Sequence, residues 1–303
     1  MLRLSIPQCA LPYIQQKNIA VILCHVENRL YARLRFLCRH GFRYRECKST
    51  FPGIAYADGR PQNKLCFPML VASQAPVATS LLAALPDRNY QLLLEHLEPT
   101  TLTFGEVLYH PGEPISHVYF PIDSLVSLLT LTEGHQALEV GLVGPEGMLG
   151  IPLALGVVNS PVRALVLRSG TALRMTSANF KKEFKQNVLL QRQVYRYIYQ
   201  LMVQLTQTAA CNRFHQVEAR LARWLMMTRD RVRSNQFHLT QELLGNMLGV
   251  RRVGVTKAAG ALRDRNLISY NRGEISILDG AGLEAAACQC YQIIKHMHGV
   301  EHS

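Results

Sequence analysis

The stretch Leu239–Leu278, LTQELLGNMLGVRRVGVTKAAGALRDRNLISYNRGEISIL, decides the fold. It predicts a helix from about Gln241 to Leu248, with Thr240 as its N-cap, because a threonine hydroxyl can accept from a free N–H of the first turn. Gly249 stands where that helix must stop and the chain must bend. A second helix is expected from Arg251 or Arg252 to near Arg265. Leu267-Ile268 and Ile275-Ile277-Leu278 then read as two strands joined through Asn271-Arg272-Gly273. Two short helices about a tight turn, followed by a β-hairpin, make a winged helix-turn-helix. Its second helix opens with two arginines, and a basic helix start of that kind can enter a DNA major groove.

Charge follows the motif. The chain of 303 residues has a formal charge of +12, with 48% hydrophobic and 18% charged residues. That composition is globular, and the length allows two ordinary domains with real cores. Residues 213–272 hold 12 Lys/Arg against 4 Asp/Glu, whereas residues 69–212 hold 9 against 10. Residues 273–303 hold 1 against 4, and residues 1–68 hold 11 against 3. The basic patch coincides with the helix-turn-helix, where phosphate neutralisation and counterion release would favour DNA. No apolar run approaches the roughly 18–20 residues that span a bilayer. Ile19–Cys24 is short and lacks a cleavage site, so no signal peptide is expected.

The first 68 residues differ in texture. They are basic, show little sustained period, and carry five of the eight cysteines, Cys9, Cys24, Cys38, Cys47 and Cys66. No C-x2-C pair occurs among them, which weakens a metal or iron–sulfur reading. A basic DNA-binding arm is a second reading. The third, which this sequence favours, is a disordered extension or translation from an upstream start, with Met69 as the native start. The eight cysteines do not make a disulfide framework in a chain of this length.

From Ser80 to Glu98 the period is helical, through Leu81, Leu82, Leu85, Leu92, Leu93 and Leu97, with Pro86 starting a second short helix. From Leu102 to Met175 short apolar runs alternate with glycine and proline turns. Val107–Tyr109, Val118–Phe120, Leu125–Leu131, Leu138–Val143 and Ala164–Leu167 read as strands of an antiparallel sandwich or roll. Helical period returns at Ser177, a possible N-cap. A long helix is expected from about Val188 to Asn212. Its Val194, Ile198, Leu201, Leu205 and Thr208 follow the 4-3-4-3 spacing of a coiled-coil seam, read here as the dimer contact. Val217–Arg231 predicts a further helix whose Leu221, Trp224 and Leu225 belong to the core of the DNA-binding domain. Ala281–His298 predicts a C-terminal helix. Cys288, Cys290, His296 and His298 on it do not suggest a metal site, because helical residues at i and i+2 point to different faces.

A β-roll, a long helix and a winged helix-turn-helix, in that order, resemble the Crp/Fnr family of bacterial transcription regulators. The resemblance covers about residues 80–280. It is carried by LTQELLGNMLGVRRVGVTKAAGALRDRNLISY, by FGEVLYHPGEPISHVYF, and by GPEGMLG with SPVRALVL. It implies an α+β protein: an antiparallel β-roll sensor domain (69–186), a dimerisation helix (187–212), a winged helix-turn-helix domain (213–280) and a C-terminal helix (281–303). It also implies that Arg251, Arg252, Val253, Thr256 and Lys257 face the bases, and that Thr240 and Gln241 contact phosphates. Arg252 matches the family's guanine-reading arginine, and a guanidinium suits O6 and N7. Val253 departs from the family's glutamate and can pack only on a thymine methyl. Gly254 and Gly260 cost helix propensity and suggest close approach to another element.

Cyclic-nucleotide-binding members carry a Gly-Glu pair and an Arg-Ser/Thr pair. The corresponding positions here read Gly147-Met148 and Arg163-Ala164, with Glu146 out of register. Half of the phosphate-binding set is missing, so cyclic AMP is not the expected effector; another small molecule, or none, is. The cysteines do not reproduce the family's iron–sulfur pattern.

The expected function is that of a cytoplasmic homodimeric regulator binding double-stranded DNA at a near-palindromic operator, with RNA polymerase a further partner. A nucleotide-sensing module acting through protein contacts is the alternative. An enzyme of the cupin type would need clustered histidines, and His110, His117 and His135 are dispersed.

Overall fold

The computed structural model describes residues 79–131 and 137–299, together with a short antiparallel pairing of Tyr56–Ala57 with Arg60–Pro61. The chain divides into two units, residues 1–72 and 73–303. The five N-terminal cysteines and the proposed start at Met69 lie outside the described residues. All the larger elements belong to the second unit.

Two short helices, Ser80–Ala83 and Asp87–Leu94, precede the sheets. Pro86 is the N-cap of the second, as its fixed φ favours. Seven strands come next: β1 (Glu98–Leu102), β2 (Val107–Tyr109), β3 (His117–Pro121), β4 (Leu125–Leu131), β5 (Ala137–Val143), β6 (Arg163–Arg168) and β7 (Gly170–Thr176). They form two antiparallel sheets, β1-β7-β3 and β2-β6-β4-β5. The fold is thus α+β with an antiparallel roll. The sequence reading lacked β1 and β7. In β1, EPTTL carries one buried residue in five, too few to show an alternation.

The four-stranded sheet is apolar on both faces. Val126 and Leu128 of β4 and Ala164 and Val166 of β6 enter the core of the roll. Leu125 and Leu129 of β4, Leu142 of β5 and Leu167 of β6 join a second core with the C-terminal part of the chain. Period-two alternation sends neighbouring strand residues to these opposite sides.

The helix Ser177–Gln186 is capped by Thr176, whose hydroxyl accepts from the Asn179 N–H at 3.3 Å, one residue earlier than expected. The long helix runs Val188–Phe214 and is capped by Asn187. After His215 and Gln216 the chain enters a scaffold helix, Val217–Val232. Its Leu221, Trp224 and Leu225 are almost wholly buried, as expected. The predicted C-terminal helix is two helices, Gly280–Ala286 and Cys290–Gly299. Asp279 caps the first of these through the Gly282 N–H, and Ala287 at ψ 150° breaks it, so Cys288 is not helical.

Candidate nucleic-acid interface

The motif folds as its spacing requires. Thr240 caps the helix Gln241–Leu248 through the Leu243 N–H at 3.1 Å, and Gly249 ends it at φ +61°. The recognition helix runs Arg252–Asp264. A three-stranded wing completes the motif, built from β8 (Gln236–His238), β9 (Ile268–Asn271) and β10 (Glu274–Ile277) in the order β8-β10-β9. Asn271 pairs with Glu274, so the loop is the two residues Arg272-Gly273, with φ of 48° and 88°. A two-residue hairpin loop with both φ positive matches the twist of its strands. It holds an exposed arginine at the wing tip in a conformation that side chains rarely adopt.

Arg251, Arg252, Val253, Thr256 and Lys257 are all exposed, on the first two turns of the recognition helix or at its N-cap. Arg251 provides no side-chain cap, and the Arg251 carbonyl accepts from the Gly254 N–H, which leaves the first two amides of the helix for an anion. Gln241 ties the reading face together: its Oε1 accepts from Arg252 Nε at 3.0 Å and lies 3.2 Å from Thr256 Oγ1, whose single proton is shared with the Arg252 carbonyl at 3.0 Å. That leaves the two terminal nitrogens of Arg252, the pair a bidentate contact with guanine needs. Gln241 is therefore also a positioning residue, with its amide N–H2 still able to donate to a phosphate. Thr240, accepting from Leu243, keeps its hydroxyl proton for the same purpose. Among the described residues, no ion pair involves Arg251, Lys257 or Arg272. A groove of about 820 Å³ runs between the motif and the wing, lined by Thr240, Gln241, Asn246, Arg252, Tyr270 and Arg272. Arg272 is the groove-lining residue that the sequence reading left out; a basic residue at a glycine turn was its one signal.

Among the described residues nothing would meet a Cβ on Gly260 within 4 Å, and one on Gly254 would make only ordinary contact with Val250. The close approach expected at Gly260 is absent. Gly260→Ala is expected to stabilise the protein by about 0.5–1 kcal/mol, the helix-propensity difference between the two residues. A rise in the midpoint of urea unfolding at constant slope checks it.

The helix-turn-helix is docked against the roll. A Cβ on Gly249 would lie 2.6 Å from Leu138 Cδ1 of β5. Trp224 Nε1 donates to Glu139 Oε1 at 2.8 Å, and Ser127 Oγ to Glu139 Oε2 at 2.7 Å. Arg231 Nε meets Glu146 Oε1 at 2.7 Å and its Nη2 meets Gln204 Oε1 at 2.8 Å, joining the scaffold helix to the roll and the long helix. Arg168 Nη1 donates to the Val232 carbonyl at 2.8 Å.

Burial pushes the Glu139 carboxyl up to about 7, against the lowering effect of its two hydrogen bonds and of the charges on Arg223 and Arg231. A raised carboxyl pKa stabilises the fold fully below the unfolded value, and that stability is lost as pH rises through the folded value. Thermal stability is therefore expected to fall between about pH 5 and about pH 8. Glu139→Gln should flatten that segment of the profile, while an unchanged slope would assign it to another group.

Two sets of expected residues sit differently. Val194, Leu201 and Thr208 are buried in the chain itself, and Ile198 and Leu205 pack against the core of the roll. That 4-3-4-3 stripe is an intramolecular face, chosen because it is the more apolar side of the helix. The exposed stripe is Tyr195, Tyr199, Met202 and Thr206, again spaced 4-3-4. Of the effector set, Met148 and Ala164 belong to the core of the roll, and Arg163 faces away from it. Met148 is a core residue, 1% exposed, and a Cβ on Gly147 would run into the Tyr197 ring. Ala164 is buried in the roll, whereas Arg163 shares its strand parity with Leu165 and Leu167, on the other side of the sheet. Among the described residues, the buried Arg163 Nε has no hydrogen-bond partner.

A basic recognition helix, a tight turn and a wing define a DNA-binding domain of the winged helix-turn-helix class. Residues 219–286 match the Crp-like helix-turn-helix domain. Solved structures with the same fold include a Crp/Fnr-family regulator from Eubacterium rectale, 15% identical over 68% of this chain and 96% of that one, with a TM-score of 0.55. A CRP-family transcriptional regulator of Thermus thermophilus is 21% identical over 62% and 96%, with a TM-score of 0.53. The c-di-GMP-responsive regulator CLP of Xanthomonas campestris is 14% identical over 63% and 99%, with a TM-score of 0.54. No curated protein matches the sequence. The chain thus carries a Crp-like helix-turn-helix domain at residues 219–286, within a fold shared with solved Crp/Fnr-type regulators.

Proposed function

We propose that the protein is a homodimeric, sequence-specific DNA-binding transcription regulator whose roll biases the placement of its recognition helices. The observation that carries this reading is the exposed Arg251, Arg252, Val253, Thr256, Lys257 surface, with Arg252 braced by Gln241. Two recognition helices related by a two-fold axis would enter successive major grooves about 34 Å apart and select a near-palindromic operator. Arg252 reads a guanine, Val253 packs on a thymine methyl, and Thr240, Gln241 and Arg272 hold phosphates.

Dimerisation uses the exposed stripe of the long helix, Tyr195, Tyr199, Met202 and Thr206, rather than the stripe that faces the roll. The roll comprises residues 69–186 and the DNA-binding domain residues 213–280, with the long helix between them. The contacts of Glu139, Glu146 and Arg168 couple roll to DNA-binding domain, and an effector acts only through different affinities for two arrangements of that joint. Cyclic AMP is not that effector, because Met148 is buried in the core and the residue after Arg163 is an alanine. RNA polymerase is the partner through which bound protein would change transcription, and the cytoplasm its location. Among the described residues, no helix is long and apolar enough to cross a membrane.

Arg252→Ala is the test. It is expected to cost about 1–3 kcal/mol of operator binding and to relax preference at one base position in each half-site. Titration against a panel of single-base operator variants reads both. Unchanged base preference with uniformly weaker binding would make Arg252 a phosphate contact.

A further inference from the structure

We propose that Cys211, His215, Cys288 and Cys290 bind one thiophilic divalent cation, zinc, in a tetrahedral site. The sequence argued against a metal here because Cys288 and Cys290 would diverge on a helix. Cys288 instead lies in the break between the last two helices, and Cys290 opens the final one. The other two ligands come from the end of the long helix, where Cys211 and His215 are one turn apart on one face. Residues 77 positions apart in sequence are thus brought together, with Cys211 Sγ 3.4 Å from Cys288 Sγ. Cys290 Sγ lies 3.5 Å from His215 Nδ1.

The four donor atoms all lie within 4.8 Å of one another, and the three cysteines are buried. Zinc–sulfur bonds of about 2.3 Å in a tetrahedron separate two sulfurs by about 3.8 Å, so one ion fits with small side-chain adjustments. Three sulfurs and one imidazole are a common structural zinc set.

The surroundings are built for an anionic centre. Arg220 and Arg223 are 6% and 4% exposed. Among the described residues their Nε atoms have no hydrogen-bond partner, while their terminal nitrogens donate to Asn212, the Leu248 carbonyl and Thr208. Neither forms an ion pair among the described residues. Burying a guanidinium without a counter-charge is costly. Three thiolates and a neutral histidine around a divalent ion carry one net negative charge, a counter-charge beyond that of Glu139, which already interacts with Arg223. Arg223 lies close enough for its charge to act on all three thiols. The ion would fasten the last two helices to the corner at His215-Gln216, where the long helix hands the chain to the scaffold helix.

The test is metal analysis of the full chain purified under reducing conditions, followed by exchange with cobalt(II). One zinc per chain is expected, with tetrahedral cobalt d–d bands and a thiolate-to-cobalt charge-transfer band that weakens by about a third in Cys288→Ser, which removes one of three thiolates. Arg223→Met is expected to lower metal affinity about 10–100-fold in chelator competition. A second variant with Cys9, Cys24, Cys38, Cys47 and Cys66 all changed to Ser should keep its metal. Loss of the metal from that variant, absence of stoichiometric zinc and of cobalt bands in the native sequence, or a Cys211–Cys288 disulfide in freshly isolated protein would each overturn the proposal. The cobalt spectrum of the unmutated chain keeps the test independent of whether any variant folds.

Discussion

Changing Tyr199 and Met202 together to glutamate is expected to turn the protein into a monomer and to weaken operator binding about 10²–10⁴-fold, the avidity that two linked half-site contacts provide. Both side chains are more than half exposed, at 58% and 57%, so the change removes little from the chain's own core. In a dimer they would lie on the helix seam, where four carboxylates would be forced together without counter-ions. Sedimentation should show the monomer, and single-chain unfolding should be little altered. Leu201→Ala makes the opposite expectation concrete. Leu201 is buried against the roll, so its truncation should cost about 2–5 kcal/mol of stability while leaving the dimer contact in place. A monomer from Leu201→Ala, with a dimer from the double glutamate variant, would restore the Val194–Thr208 stripe as the seam.

Arg231→Ala has the second largest expected effect. The Arg231 side chain is 6% exposed and its Glu146 partner 21% exposed. The same guanidinium holds Gln204 of the long helix and the Met227 carbonyl. Removing one member of a buried ion pair typically costs 3–5 kcal/mol; the partial exposure of Glu146 reduces the expectation to about 2–4 kcal/mol. At about 2–4 °C per kcal/mol for a protein of this size, the unfolding temperature should drop by roughly 4–16 °C. Adding Glu146→Gln in the Arg231→Ala background should recover part of that loss, since it removes the charge left facing the joint. No recovery would place the cost in the contacts to Gln204 and Met227.

The helix-turn-helix was legible because its determinants are local. Thr240, Gly249 and the paired arginines each act within a few residues of their own position. The first wing strand was not legible, since Gln236–His238 has one buried residue in three and is a strand only by pairing Phe237 with Ile275. The long helix is ambiguous for a different reason. It carries two heptad-spaced stripes about 100° apart, one beginning at Val194 and the other at Tyr195. Spacing alone does not say which one meets the roll. Gly147 also has a packing role, lying beneath Tyr197, that a motif match cannot distinguish from a ligand contact. The cysteine–histidine cluster depends on where two distant helix ends meet, and no local pattern records that.

Selection of bound duplexes from a genomic fragment library, with the full chain at near-physiological salt and no added ligand, tests the central claim most directly. Enrichment of a two-fold symmetric motif is expected, with half-site centres about 34 Å, or roughly ten base pairs, apart. Binding that is lost steeply with salt yet enriches no motif, or that enriches one asymmetric half-site, would contradict it.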